Sequence, residues 1–306
     1  MIAPMRRHPL LVAIFLATVL FPYTTARATT PETSPASAEL QRWCSSVTRV
    51  IPRTPLKTCI SAALAPVAAR SVNGRAIMLS EFKPPREPKG RVLVIGGIHG
   101  DELTAVSIVF RWIELLQRPS ADAAQYHWRV VPLMNPDGLF AKPPRRVNAR
   151  GVDLNRNFPT DDWFADAHRY WRVSTRRDPR RFPGTAPGSE PESRWLHNEI
   201  RRFRPDVIVS VHAPHHVLDF DGPPGIDPPL RFGPLYLRPL GVYPGSLGNF
   251  GGLKEGIPVV TLELPHALKM PTDEELAQVW RDMQQWLKTR LIDRKSASSG
   301  TEPRIP

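Results

Sequence analysis

The segment Arg91 to Glu102, RVLVIGGIHGDE, limits what this chain can fold into more than any other. Val92, Leu93, Val94 and Ile95 form an unbroken apolar run, the pattern of a strand buried on both faces, so a strand is expected from Arg91 to Gly96. The run stops on Gly96 and Gly97. Beyond that turn Leu103, Val106, Val109, Ile113 and Leu116 recur at spacings of three and four, as along one face of a helix. His99 and Glu102 therefore lie at the carboxyl end of a parallel strand, in the loop that opens a helix, where open α/β sheets hold their ligands. An imidazole and a carboxylate three positions apart can reach one Zn²⁺. A surface histidine beside a helix-N-terminal glutamate is the plainer alternative. A catalytic zinc site would need a third protein ligand and an open position for water.

Two further apolar runs offer such residues. Val207 to Val211 (VIVSV) leads straight into His212, and Ile257 to Leu264 (IPVVTLEL) carries Glu263 among apolar neighbours. A carboxylate in that setting is costly unless it is paired or functional. Alone, His212 reads as a satisfied core histidine and Glu263 as a buried ion-pair partner. Tyr126 to Pro132 is another strand, closed by the turn Asn135 to Gly138, and residues 142–156 form a basic loop. A helix begins near Glu190 and Pro191, and another runs from Thr272 to Arg290. Residues 218–234 are rich in proline and glycine and read as a loop over one face of the sheet. The fold class expected is α/β, a mixed central sheet flanked by helices.

The ends read differently. In residues 1–28, Arg6, Arg7 and His8 precede the apolar run Leu10 to Phe21, and Ala26, Arg27 and Ala28 follow, which reads as a secretory signal peptide cleaved near Ala28. An uncleaved anchor is the alternative, but the run is short for a span of about 20 residues. Export to the periplasm is the expectation, with no stable membrane span after signal removal. Residues 29–38 read as a polar linker, 39–69 as an N-terminal helical segment, 70–291 as the catalytic domain and 292–306 as a disordered tail. Cys44 and Cys59 are the only cysteines. An even count in an exported chain favours a disulfide between them, two separate buried thiols being the alternative. The formal charge is +12, and removing Arg6, Arg7 and Arg27 leaves +9. With no nucleic-acid-binding motif beside it, that charge points to an anionic envelope polymer or to solvated surface arginines, not to nucleic acid. The same two readings apply to the five arginines between Arg172 and Arg181.

Placed in order, the stretches GGIHGDE (96–102), NPDG (135–138), RRVNARGVDLNRNFP (145–159), GTAPGSEPE (184–192), SVHAP (210–214) and TLELP (261–265) resemble the zinc carboxypeptidase family, and within it the bacterial murein peptide amidase type. The resemblance covers roughly residues 70–290. It implies one Zn²⁺ per chain held by His99, Glu102 and His212, with Glu263 as general base. It implies that Asn155 and Arg156 hold the substrate's terminal carboxylate and that Asp153 orients a zinc-binding imidazole. Of the nearby arginines it matches Arg146 to the one that polarises the scissile carbonyl, with Arg145 and Arg150 as competitors. Tyr243 lies in the region of a tyrosine that closes over substrate. His215 and His216 have no helix to face both rings at one metal and are left out, while Asp101 and Asp137 read as cap and turn residues.

What the resemblance implies about function is hydrolysis of a terminal amide bond in peptidoglycan stem peptides, between γ-D-glutamate and meso-diaminopimelate. Three rivals stand beside it: a general carboxypeptidase on protein C-termini, a small-molecule deacylase, and a catalytically silent module that binds wall peptides. Which side chain is accepted beside the carboxylate is not readable from the sequence.

Overall fold

The computed structural model describes residues 35–292. The expected signal peptide and most of the tail lie outside the described residues. The described part begins with helix α1 (Pro35–Val50), α2 (Leu56–Ser61) and the strands β1 (Leu64–Arg70), β2 (Ala76–Phe82) and β3 (Gly90–Ile95). Next come α3 (Leu103–Gln117), β4 (Tyr126–Val131), the single turn α4 (Pro136–Leu139), α5 (His168–Val173) and α6 (Pro191–Phe203). The last elements are β5 (Val207–His212), β6 (Val217–Asp221), the short pair β7 (Arg231–Phe232) and β8 (Leu235–Tyr236), β9 (Val259–Glu263) and α7 (Asp273–Trp286).

Seven strands form one sheet in the order β1-β2-β4-β3-β5-β9-β6. The inner strands β4, β3, β5 and β9 are parallel, and antiparallel strands flank them on both sides. Burial on both faces explains why β3 and β5 read as continuous apolar runs. One face packs on α1, α3 and α7 through Val47, Ile108, Trp112 and Trp280. The opposite face carries Leu93, Ile95 and Ile208 against Leu196, Ile200 and Phe250. From β3 the chain steps to β4 on one side and later to β5 on the other, so the crevice between β3 and β5 is the switch point of the sheet.

Several expectations are corrected. Residues 35–38 form the first turn of α1, so the stretch expected as linker ends sooner. Within 39–69, Leu64 to Arg70 is not helical but the outer strand of the main sheet. A disulfide joins Cys44 to Cys59 and ties α1 to α2. Residues 218–221, expected to open a loop, belong to β6, paired antiparallel to β9. The reason is alternation: Leu218 joins the apolar core while Asp219 and Asp221 face the other way, and the proline-glycine run begins only after the strand has ended. Among the described residues no helix is long and apolar enough to cross a membrane.

Candidate metal centre

The loop from β3 to α3 must pass close to the turn after β4, and glycines make this possible. Gly97 has φ +56°, and a Cβ on Gly100 would stand 2.3 Å from the backbone of Gly138. The compressed loop delivers His99 and then Glu102, the N-cap residue of α3, to the mouth of the switch-point crevice. His212 arrives from the neighbouring strand as the last residue of β5.

The three side chains converge. His99 Nδ1 is 2.8 Å from Glu102 Oε1, His212 Nδ1 is 3.1 Å from Glu102 Oε2, and the two Nδ1 atoms are 3.1 Å apart. All three residues are buried, at 2%, 5% and 3% exposure for His99, Glu102 and His212. A tetrahedral zinc with bonds near 2.1 Å sets its donors about 3.4 Å apart, so this triangle closes on such an ion with small adjustments. Lone pairs gathered so closely, with water excluded, repel one another until a cation sits among them. The residues fit zinc.

Their outer contacts fix which nitrogen faces inward. His99 Nε2 meets Asp153 Oδ1 at 3.1 Å and His212 Nε2 meets Ser210 Oγ at 3.0 Å, leaving both Nδ1 atoms for the metal. Burial pushes the Glu102 carboxyl up, but the adjacent His99 and His212 rings outweigh it and hold the group well below the usual carboxylate range. Asp153 is likewise held low: burial opposes, while Arg146 and His99 overcome it.

The surrounding cavity measures about 220 Å³ and is lined by the three ligand candidates together with Arg146, Asn155, Arg156, Tyr243 and Glu263. The anticipated metal, catalytic and substrate-binding residues are thus brought to one cavity, and Asp153 stands behind it against His99 and Arg146. Glu263 ends β9 directly opposite His212 in the register, and one of its oxygens accepts from the His215 N–H at 3.4 Å. Arg146 donates from Nε to Asp153 at 3.0 Å and places Nη1 3.6 Å from Glu102. Its competitors are elsewhere: Arg145 is exposed, and Arg150 pairs with Glu190 at 3.6 Å. Arg156 is only 5% exposed. Its guanidinium lies over the Tyr243 ring at 4.4 Å and gives Nη1 to the Asn155 carbonyl, but its Nε has no partner. Burial pulls this cation below its ordinary value, so an anion arriving there is strongly favoured. The Tyr243 hydroxyl donates to the Leu240 carbonyl at 2.7 Å. Asp137 accepts from Ser71 Oγ and the Asn73 N–H, outside the cavity.

The cavity also holds residues not anticipated as site groups: Ser210, Arg181, Thr261, His215, Asp219 and Asp221. Ser210 was legible in principle, since strand alternation puts it on the face of His212. Asp219 and Asp221 were hidden because β6 was read as a loop.

A model of the zinc carboxypeptidase family matches residues 63–229. The chain belongs to that family. Murein peptide amidase A of Escherichia coli K12 is 35% identical over 146 residues, covering 46% of this chain and 57% of that protein, so the match spans little more than half of that relative. The protein of the same name from Vibrio campbellii is 30% identical over 203 residues, 64% of this chain and 77% of the other. The crystal structure of murein-tripeptide amidase MpaA from Escherichia coli O157 superimposes with a TM-score of 0.52 at 27% identity, over 71% of this chain and 90% of that one. Zinc is this family's metal, and His99, Glu102 and His212 are the one group of three such side chains among the described residues that could hold it.

Proposed function

We propose that this zinc carboxypeptidase-family chain hydrolyses a terminal amide bond in cell-wall peptides, between γ-D-glutamate and meso-diaminopimelate. The observation that carries the reading is the single cavity in which the buried donor triangle, Glu263 and the half-satisfied Arg156 meet. The murein peptide amidase relatives supply the substrate class. Zinc held by His99, Glu102 and His212 would supply Lewis acidity and bring the pKa of water from 15.7 towards about 7. Glu263 takes a proton from the attacking water and returns it to the leaving amine. Arg146, held by Asp153, directs its guanidinium at the oxyanion that develops on the amide carbon. Arg156 and Asn155 hold the terminal carboxylate, which fixes the scissile bond and confines the reaction to chain ends.

We place this activity outside the cytoplasm. The N-terminal sequence supports that, as does the Cys44–Cys59 disulfide, since such bonds persist in oxidising compartments. The functional test is mass spectrometry of stem tripeptide incubated with the protein, with and without chelator, beside Glu263→Gln. Free diaminopimelate released only by the metal-loaded, unsubstituted protein is the expected result. Trimming of ordinary peptides with no diaminopimelate released would overturn the reading.

A further inference from the structure

The proposed hydrolysis makes no use of the five arginines between Arg172 and Arg181, a stretch in which Asp178 is the single acid. Both ends of that stretch are anchored at the metal cavity. At one end Arg181, half-buried, lines the cavity, and Arg180 pairs with Asp101 at 2.8 Å, next to the ligand candidate Glu102. At the other end Tyr170 of α5 meets Tyr243, the ring that carries Arg156, at 5.4 Å. Between these anchors Arg172, Arg176 and Arg177 are all exposed. They form a basic rim beside the cavity.

The rim is built, not loose. Trp171 Nε1 donates to the Asp178 carbonyl at 2.8 Å, the Arg177 N–H donates to the Trp171 carbonyl at 2.9 Å, and the Trp171 ring packs on Phe182 at 5.0 Å. That fold-back sets Arg176 and Arg177 at φ +53° and +61°, a left-handed region that residues with side chains enter at a cost glycine is spared. Strain of this kind, kept under two exposed guanidiniums, points to a use for them. Ion pairs hold Arg169 to Asp166, Arg180 to Asp101 and Arg181 to Asp178, but among the described residues none engages Arg172, Arg176 or Arg177. A cavity of about 220 Å³ takes little more than the reacting end of a peptide. Anions that match the outer arginines therefore belong to a part of the ligand that stays outside, as the repeated carboxylates of a polymer do. Phe164 and Val173, 80% and 71% exposed on the same segment, make an anionic bilayer the rival partner. The polymer is favoured because Arg181 continues the row of cations into the cavity where the peptide end is held.

We propose that Arg172, Arg176 and Arg177 form a docking surface for carboxylate-bearing wall polymer, holding neighbouring stem peptides while one peptide end enters the cavity. The protein then acts on peptides still attached to the wall. This rests on the amidase reading above for the kind of polymer, and goes beyond it in naming the attached form of the substrate and the residues that hold it.

The test measures sedimentation of zinc-loaded Glu263→Gln with insoluble sacculi of the diaminopimelate type, a format that needs no turnover. At low salt this protein should sediment with the sacculi, and adding Arg172→Gln, Arg176→Gln and Arg177→Gln should weaken binding by about tenfold or more. Salt at about 0.5 M, or conversion of the sacculus carboxylates to amides, should weaken binding in the same way. With Glu263 restored and salt at about 0.15 M, the triple substitution should leave kcat/KM on free stem tripeptide within about twofold of the parent. Arg176→Gly with Arg177→Gly should lose binding while melting no lower than the parent, which a merely structural role for these residues would not give. Equal binding with and without the triple substitution, or no binding to sacculi at low salt, would overturn the proposal. So would an effect of the triple substitution on phosphatidylglycerol vesicles alone, which would assign the surface to a membrane. If the active protein hydrolyses neither free tripeptide nor sacculi, the amidase reading fails by itself, and sedimentation of the Glu263→Gln protein still decides whether the arginines hold the polymer.

Discussion

Asp153 is fully buried behind the cavity wall, yet it holds both His99 and Arg146. Replacing it with alanine frees the His99 ring to turn and should weaken zinc binding by about 10- to 100-fold. Competition against a chromophoric chelator measures this, and unchanged affinity would show that the ring is held by packing alone. Glu192 poses a different problem. Fully buried, it accepts from the Val72 N–H at 3.2 Å, and burial pushes its carboxyl up to about 7 from an ordinary 4.5. The folded protein thus binds this proton more tightly than the unfolded chain. Its contribution to stability is complete below about pH 4.5 and is lost as pH rises through 7. Glu192→Gln should therefore gain in melting temperature relative to the parent by several degrees between pH 5 and pH 8. Parallel pH profiles would refute that. At this scale the metal ligands were legible because each follows an apolar run with the pattern of a buried strand and because the motifs around them stand in the order seen in the zinc carboxypeptidase family. Asp219 and Asp221 were not, since their place in the cavity depends on which strands become neighbours.

Among the elements, α7 carries the clearest local code. Thr272 Oγ1 accepts from the Glu275 N–H while the Glu275 side chain accepts from the Thr272 N–H, a reciprocal cap visible in the sequence as T-x-x-E. Thr272→Ala should cost about 1 kcal/mol, seen as a lower denaturant midpoint. The disulfide closes a loop of 15 residues between α1 and α2, and opening a loop of that size costs about 3 kcal/mol in the chain-entropy view. The Cys44→Ser, Cys59→Ser double variant should melt lower with its zinc stoichiometry unchanged. A loss of zinc would mean that these helices also shape the metal centre. The interior parallel strands and their helices could be read from periodicity. The outer strands could not: β1, with Pro66 and four alanine or arginine positions among its seven residues, lacks an apolar pattern, and the acids of β6 run against strand propensity. Such strands are defined by their partners, which no local window contains.

For the whole molecule, the metal ligands come from two segments 110 residues apart, Glu102 in the loop after β3 and His212 at the end of β5, on either side of the switch point. A bound ion then cross-links the two arms of the sheet. Zinc at a thousandfold excess over its Kd would stabilise the fold by about 4 kcal/mol. Chelation should lower the melting temperature by several degrees and zinc should restore it, whereas Glu102→Ala should abolish the response to zinc. Strand β6 sits apart from this cross-link: it pairs with β9 alone along its length and is shielded outside by one bridge from Leu218 to Leu237. A border strand can be rewritten without reopening the middle of the sheet. Descent can therefore vary positions 217–221 while the middle of the sheet, with the metal ligands at its strand ends, passes on untouched.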